Sequence, residues 1–292
     1  MIEKEITYLD NTKNKVSVFS SKNENRVTII CLPAMGVRAT FYKNFAKELN
    51  SKGYNVITAD WRGQGKSSIR ASRKTNFGYK EFISDIKQLI EYSEIWFSNS
   101  KKLIVGHSLG GQVGSLFTSQ FTEDIDGLIL IASCSVYYKG WNKRTSLKLF
   151  FAGKVFYPLS RIFGYFPGNI IGFGGKEAQF VMKDWCFNTI NGKYQITNSN
   201  FDYEKSLSEL CKNVLTISIE NDYLASKDAV ENLYRKFNYK SNIEHLHLTE
   251  KETKIKPLNH FSWAKEPTCF SEIIEKWING NVEKPVANNG YC

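Results

Sequence analysis

The sequence predicts an α/β protein with a mostly parallel central sheet flanked by helices and with a helical segment inserted into it. Three observations carry this. From Arg26 onward, short runs rich in Ile, Val and Leu alternate with stretches whose apolar residues recur at helical spacing, the pattern of βαβ units. The short runs are apolar throughout, as in strands covered on both faces. The rhythm then stops after Ser133, with no clear core strand before residue 214.

Taken in order, residues 5–19 read as an antiparallel hairpin turning at Asn11-Thr12-Lys13-Asn14. Core strands are expected at 27–32, 55–59, 103–105, 127–131 and 214–219, with a last one at 243–248. Helices are expected at 39–52, 80–96, 111–121, 228–237 and 270–278, where apolar residues recur at helical spacing. The expected organisation is a first core part at 1–133, an inserted lid at 134–205, a second core part at 206–282 and a frayed tail at 283–292, which contains Pro285, Asn288, Asn289 and Gly290.

Composition limits the function classes. With 292 residues, 42% of them hydrophobic and 14% aromatic, the chain can bury a sizeable core, which argues against a disordered chain or a disulfide-stapled scaffold. The six cysteines lie far apart with no C-x-x-C pair, so reduced thiols are expected and neither a zinc knuckle nor a redox motif is suggested. The first residues lack an apolar run after a basic stretch, so no secretory signal and a cytoplasmic location are expected. Apolar stretches are shorter than about ten residues, against the roughly 20 of a membrane-spanning helix, so no transmembrane segment is expected. The formal charge of +10 raises nucleic-acid binding, but basic residues are dispersed among acids and no nucleic-acid motif accompanies them. No nucleic-acid partner is expected, and oligomeric state is not readable.

The residues that carry chemistry lie in Leu103-Ile104-Val105-Gly106-His107-Ser108-Leu109-Gly110-Gly111-Gln112-Val113-Gly114, a strand, a G-x-S-x-G turn and a helix in the order such a turn requires. A serine at so tight a turn takes strained backbone angles, and glycines two before and two after it avoid clashes. The turn lifts the Ser108 hydroxyl clear of the sheet and puts the Leu109 N–H at a helix start, where the dipole favours a developing oxyanion.

On these residues the chain resembles the α/β-hydrolase fold family from about residue 27 to 278, most closely its lysophospholipase-like and serine aminopeptidase-like serine hydrolases. Asp60-Trp61-Arg62-Gly63-Gln64-Gly65-Lys66-Ser67 is similar to the family's D-x-R-G-x-G-x-S loop, and Cys31-Leu32-Pro33-Ala34-Met35-Gly36 stands where the family has its His-Gly oxyanion loop. Pro33-Ala34 replaces His-Gly, so the second oxyanion donor implied by position is the Met35 N–H. A backbone donor does not depend on side-chain identity.

A nucleophilic serine needs a base and an acid that holds the base in one tautomer. Of four histidines, His245 and His247 alternate within the strand expected at 243–248, and His107 sits inside the turn with its side chain directed away from Ser108. His260 remains, in the loop where the family carries its catalytic histidine. Chain order puts the acid between serine and histidine, after the strand at 214–219. The family pattern implies Asp222, with Glu220 as the alternative. Asp60 is expected to bond local backbone, and Asp85 to face solvent or a loop.

The resemblance implies a serine hydrolase that cleaves a carboxylic ester through an acyl-enzyme on Ser108, with His260 and Asp222 completing the triad and Leu109 and Met35 N–H groups holding the oxyanion. No metal and no cofactor are implied. A serine at this turn argues against epoxide opening and dehalogenation, which use aspartate there. An acyltransferase or an amidase/aminopeptidase on the same triad stays open, as does a non-catalytic binding protein on this fold.

The expected lid holds 17 of the chain's 41 aromatics, and its ten Lys/Arg against four acids account for +6 of the +10. The runs Leu147-Lys148-Leu149-Phe150-Phe151 and Val155-Phe156-Tyr157-Pro158-Leu159 suggest helices with a broad apolar face that packs on the core and lines a cavity for an acyl chain. The lysines suit a solvated face, or attraction to anionic substrates or a transient contact with a membrane surface.

Overall fold

The structure is a computed structural model that describes residues 1–22 and 27–283. Of the expected frayed tail, all but Glu283 lies outside the described residues. One sheet of eight strands runs through the chain in the order β1 (Ile2–Thr7), β2 (Lys13–Phe19), β4 (Asn55–Thr58), β3 (Thr28–Leu32), β5 (Lys102–His107), β6 (Gly127–Ile131), β9 (Asn213–Ile219), β10 (Asn242–Leu248). From β4 to β10 all neighbours are parallel, while β1–β2 and β2–β4 are antiparallel. The apolar runs follow from this arrangement. Along β5 and β6, Leu103, Val105, Ile129 and Ile131 enter one core, and Ile104, Leu128 and Leu130 the other, so every position needs an apolar side chain.

Helices α1 (Lys43–Ser51), α10 (Ser262–Lys265) and α11 (Thr268–Asn281) cover the first face with Phe45, Trp263, Ile274 and Trp277, and α2 (Tyr79–Trp96) and α3 (Leu109–Gln120) cover the second with Phe82, Ile86, Leu116 and Phe117. Helix α8 (Lys227–Tyr234) and the short α9 (Glu250–Thr253) follow β9 and β10.

Some boundaries differ from expectation for local reasons. The N-terminal hairpin turns earlier, with Thr7 opposite Lys13 and Ile6 opposite Asn14, and with Asn11 in the left-handed region at φ 65°. Asn14 is therefore a buried strand residue, and its side-chain amide donates to the Asp60 carbonyl at 2.8 Å. The expected helix at 39–52 opens with a 3-10 turn over Ala39–Tyr42 before α1. The segment between β6 and β9 carries α4 (Lys143–Phe163), the paired two-residue strands β7 (Phe166–Pro167) and β8 (Lys176–Glu177), α5 (Gly168–Ile171), α6 (Gln179–Asn191) and α7 (Tyr203–Glu209). The two apolar runs expected there belong to one continuous helix, α4, which accommodates Pro158; it is capped by the Asn142 side chain and ends at left-handed Gly164. Helix α7 packs on α3, where Tyr203 donates to the Gln120 side chain at 2.8 Å.

Among the described residues Cys31, Cys134, Cys186 and Cys269 are free thiols. Among the described residues no helix is long and apolar enough to cross a membrane, and no group of three His, Cys, Asp or Glu is placed to hold a metal ion.

Candidate active site

Ser108 joins β5 to α3 with φ 54° and ψ −116°, a conformation that a side-chain-bearing residue adopts only under constraint. Its neighbours supply that constraint. A Cβ at Gly106 would lie 2.4 Å from the Gly111 Cα, and one at Gly110 would lie 2.1 Å from the Leu32 carbonyl oxygen. Both glycines are thus required by close backbone approach, the second against the end of β3 rather than against Ser108 itself. The Ser108 N–H donates to the Ile131 carbonyl at 3.1 Å, which ties the turn to β6. Leu109 opens α3, whose first N–H groups have no acceptor within the helix.

His260 precedes α10, and Asp222 lies in the turn after β9, where Asn221 adopts φ 59°. The Asp222 Oδ2 and His260 Nδ1 are 2.7 Å apart, and both residues are buried. The other Asp222 oxygen accepts the N–H groups of Leu224 and Ala225 at 2.8 and 2.9 Å, so the carboxylate is held from behind. A proton on Nδ1 in this contact leaves the His260 Nε2 lone pair free. Glu220, the alternative acid, instead accepts the Glu250 N–H at 2.9 Å.

His107 is more than a turn residue. Its ring lies 4.6 Å, centroid to centroid, from that of His260, which brings His260 beside the residue preceding Ser108. Tyr42 Oη accepts the Ala34 N–H at 3.0 Å, so its own proton goes to His107 Nδ1, 2.7 Å away. Burial, then the proximity of His260, hold the His107 imidazole well below its usual range, and it is neutral. Tyr42 thereby links the loop after β3 to the Ser108 turn. Nothing in the sequence flags Tyr42, which lies 65 positions from its partner.

The loop after β3 is held from two further sides. Trp61 Nε1 donates to the Pro33 carbonyl at 2.8 Å, and Asp60 accepts the Lys66 N–H at 2.9 Å, the local role expected of it, and also the Ala39 N–H, 21 positions away, at 2.7 Å. Gly36, at φ 70°, touches the segment before β8, where an added Cβ would lie 2.3 Å from the Gly175 nitrogen. Behind that contact, buried Glu177 accepts from Gly175 N–H at 2.8 Å and from the Gln64 side chain at 3.2 Å. Burial pushes its pKa up to about 7. Of the two surroundings expected for Asp85, the structure has the loop: the residue is buried and forms a two-pronged ion pair with buried Arg62 of the loop after β4, whose Nε is 3.0 Å from Oδ2. Burying the D-x-R-G loop on α2 leaves Arg62 without water, and Asp85 supplies the counter-charge.

An apolar cavity of about 710 Å³ adjoins Asp222 through Tyr223 and Leu224 and is walled by Leu149, Ala152 and Phe156 of α4 together with Trp185 of α6. Phe156 lies against Trp185 at 5.8 Å, so the wall is shared between the two helices.

Three comparisons bear on this site. Residues 23–239 match the family model described as serine aminopeptidase, S33. Lysophospholipase L2 of Escherichia coli (strain K12) is 26% identical over 134 residues, 44% of this chain and 39% of that protein, so the match spans well under half of the relative. Among solved structures, the esterase EaEST from Exiguobacterium antarcticum superposes with a TM-score of 0.62 at 17% identity, covering 95% of this chain and all of that one. The monoacylglycerol lipase of Paleococcus ferrophilus does so with a TM-score of 0.61 at 16% identity over 92% and 99% of the two chains. At such identities the structural likeness concerns the fold.

Proposed function

Because the chain belongs to the serine aminopeptidase S33 family of α/β hydrolases, we propose that it is a serine hydrolase cleaving carboxylic esters of apolar acyl groups. The observation that carries this reading is the buried Asp222–His260 pair, delivered by two separate loops to the side of the constrained Ser108 turn. Ser108 Oγ attacks the ester carbonyl as its proton passes to His260 Nε2, while Asp222 holds the imidazole and stabilises its charged form. The Leu109 and Met35 N–H groups receive the oxyanion. Collapse expels the alcohol, which takes the proton from His260. Water then gives a proton to the same nitrogen and attacks the acyl-enzyme; collapse breaks the bond to Ser108 Oγ, which takes that proton back from His260 as the acid leaves. Residues 134–205 act as a lid in this reading, and the cavity under α4 receives the acyl chain. The names lysophospholipase and esterase carried by relatives support the ester class.

The family description favours one second reading, cleavage of amides by the same residues. Labelling with a fluorophosphonate, together with rates on p-nitrophenyl esters of increasing chain length and on aminoacyl-arylamides, tests both. Wild type labels and Ser108→Ala does not; esters of longer acyl chains outpace acetate. Absence of labelling where a known serine hydrolase labels would end the enzyme reading, and arylamide turnover above ester turnover would favour the second. Transfer products formed with added alcohols would identify an acyltransferase.

A further inference from the structure

Between Asp126 and Glu177 the chain runs through 50 residues with no Asp or Glu but with seven Lys and Arg, five of them on α4. Among the described residues none of the seven pairs with a carboxylate within 4.0 Å. Leu147, Phe151 and Val155 recur every fourth residue along α4 and Ile162 follows seven on, so the four form one stripe about 22 Å long at 1.5 Å per residue. They are 58%, 57%, 51% and 64% exposed, and the buried Gly153 and Ser160 lie on the opposite side of the helix. At 3.6 residues per turn, Lys143, Lys154 and Arg161 border the stripe on one side and Lys148 on the other. Phe151 and Val155 also line the apolar cavity, whose mouth therefore opens at the edge of the stripe.

We infer that this face of α4 docks on an anionic lipid bilayer. An exposed apolar stripe is normally buried by something. A stripe bordered by unneutralised cations fits the boundary between acyl chains and anionic headgroups, where apolar side chains enter and Lys and Arg stay at headgroup level. A second copy of this face fits poorly, since two acid-free cationic surfaces repel each other in the isologous contact that a dimer requires. Docking does not depend on the hydrolytic reading, but it places the cavity mouth at the source of long-chain esters.

Sedimentation of the full chain with vesicles of phosphatidylcholine alone, and of phosphatidylcholine mixed with phosphatidylglycerol, tests this at low and high salt. Wild type is expected to bind the mixed vesicles at least about tenfold more tightly than the neutral ones, and to release at high salt. The variant Lys143→Gln/Arg144→Gln/Arg161→Gln and the variant Leu147→Ser/Ile162→Ser each lose about tenfold in that binding, with melting temperature and hydrolysis of a short soluble ester as in wild type. Equal binding to both vesicle types, no binding, or variants that bind as wild type would overturn the inference. So would a dimer on light scattering that the Leu147→Ser/Ile162→Ser variant converts to monomer. Vesicle binding without ester hydrolysis would leave the inference standing and remove the hydrolytic reading.

Discussion

Replacing Glu177 with glutamine removes a carboxyl that the fold holds out of water beside Gln64 and Gly175. Burial pushes its pKa from 4.5 up to about 7, while the bonds from Gly175 and Gln64 pull the other way. A group that holds its proton more tightly in the folded chain contributes fully below its unfolded pKa, and that contribution is lost as pH climbs to the folded value. The interval from 4.5 to about 7, at about 1.36 kcal/mol per pH unit, corresponds to a loss of about 3 kcal/mol. Glutamine has the same shape, keeps an oxygen for both donors and does not titrate. The difference in unfolding free energy, Glu177→Gln minus wild type, is therefore expected to rise by about 3 kcal/mol from pH 4.5 to pH 8 and to level off above the folded pKa. Urea unfolding at half-unit pH steps reads it directly. A difference that stays flat across this range would refute the argument, because it would mean that Glu177 is ionised in the folded chain and solvated.

Asp222→Asn keeps the shape but reverses the hydrogen-bond preference at His260 Nδ1, and a fall in kcat of about 10³–10⁴ with an unchanged circular dichroism spectrum is expected; a loss of under tenfold would remove Asp222 from the proposed triad. Tyr42→Phe strips the buried Ala34 N–H of its acceptor and His107 of its donor, so a stability loss of about 1–3 kcal/mol is expected in chemical unfolding. If the link also positions the loop after β3 for the proposed oxyanion contact, kcat falls while KM holds; a change in KM alone would argue against it. Ala152→Phe projects a ring into the cavity beside Trp185 and is expected to shift the best p-nitrophenyl ester to a shorter acyl chain, whereas an unchanged chain-length profile would place the acyl group elsewhere.

The core was legible because burial on both faces leaves its mark on every residue of a strand. Gly127–Ile131 is apolar throughout and forms β6 with the expected bounds. The strand into Ser108 runs on through Gly106 and His107, two residues beyond its apolar run, since pairing with β6 continues to Ile131. Which of solvent or a loop Asp85 faces was not legible for a related reason: its helix periodicity says nothing about a guanidinium arriving from the loop after β4, 23 positions away.

The sequence by itself determined the sheet, the position of the Ser108 turn and the few acids and histidines able to serve it, because steric limits on a strand-to-helix turn and the period of apolar residues are local properties written in neighbouring positions. Only the tertiary structure decided which carboxylate after β9 reaches His260, that Tyr42 ties the loop after β3 to His107, and that a cation-bordered apolar stripe lies open on α4. Those are contacts and exposures between segments far apart in the chain, and they depend on strand order and helix packing, which put Asp222 2.7 Å from His260 and turn Glu220 toward the Glu250 N–H.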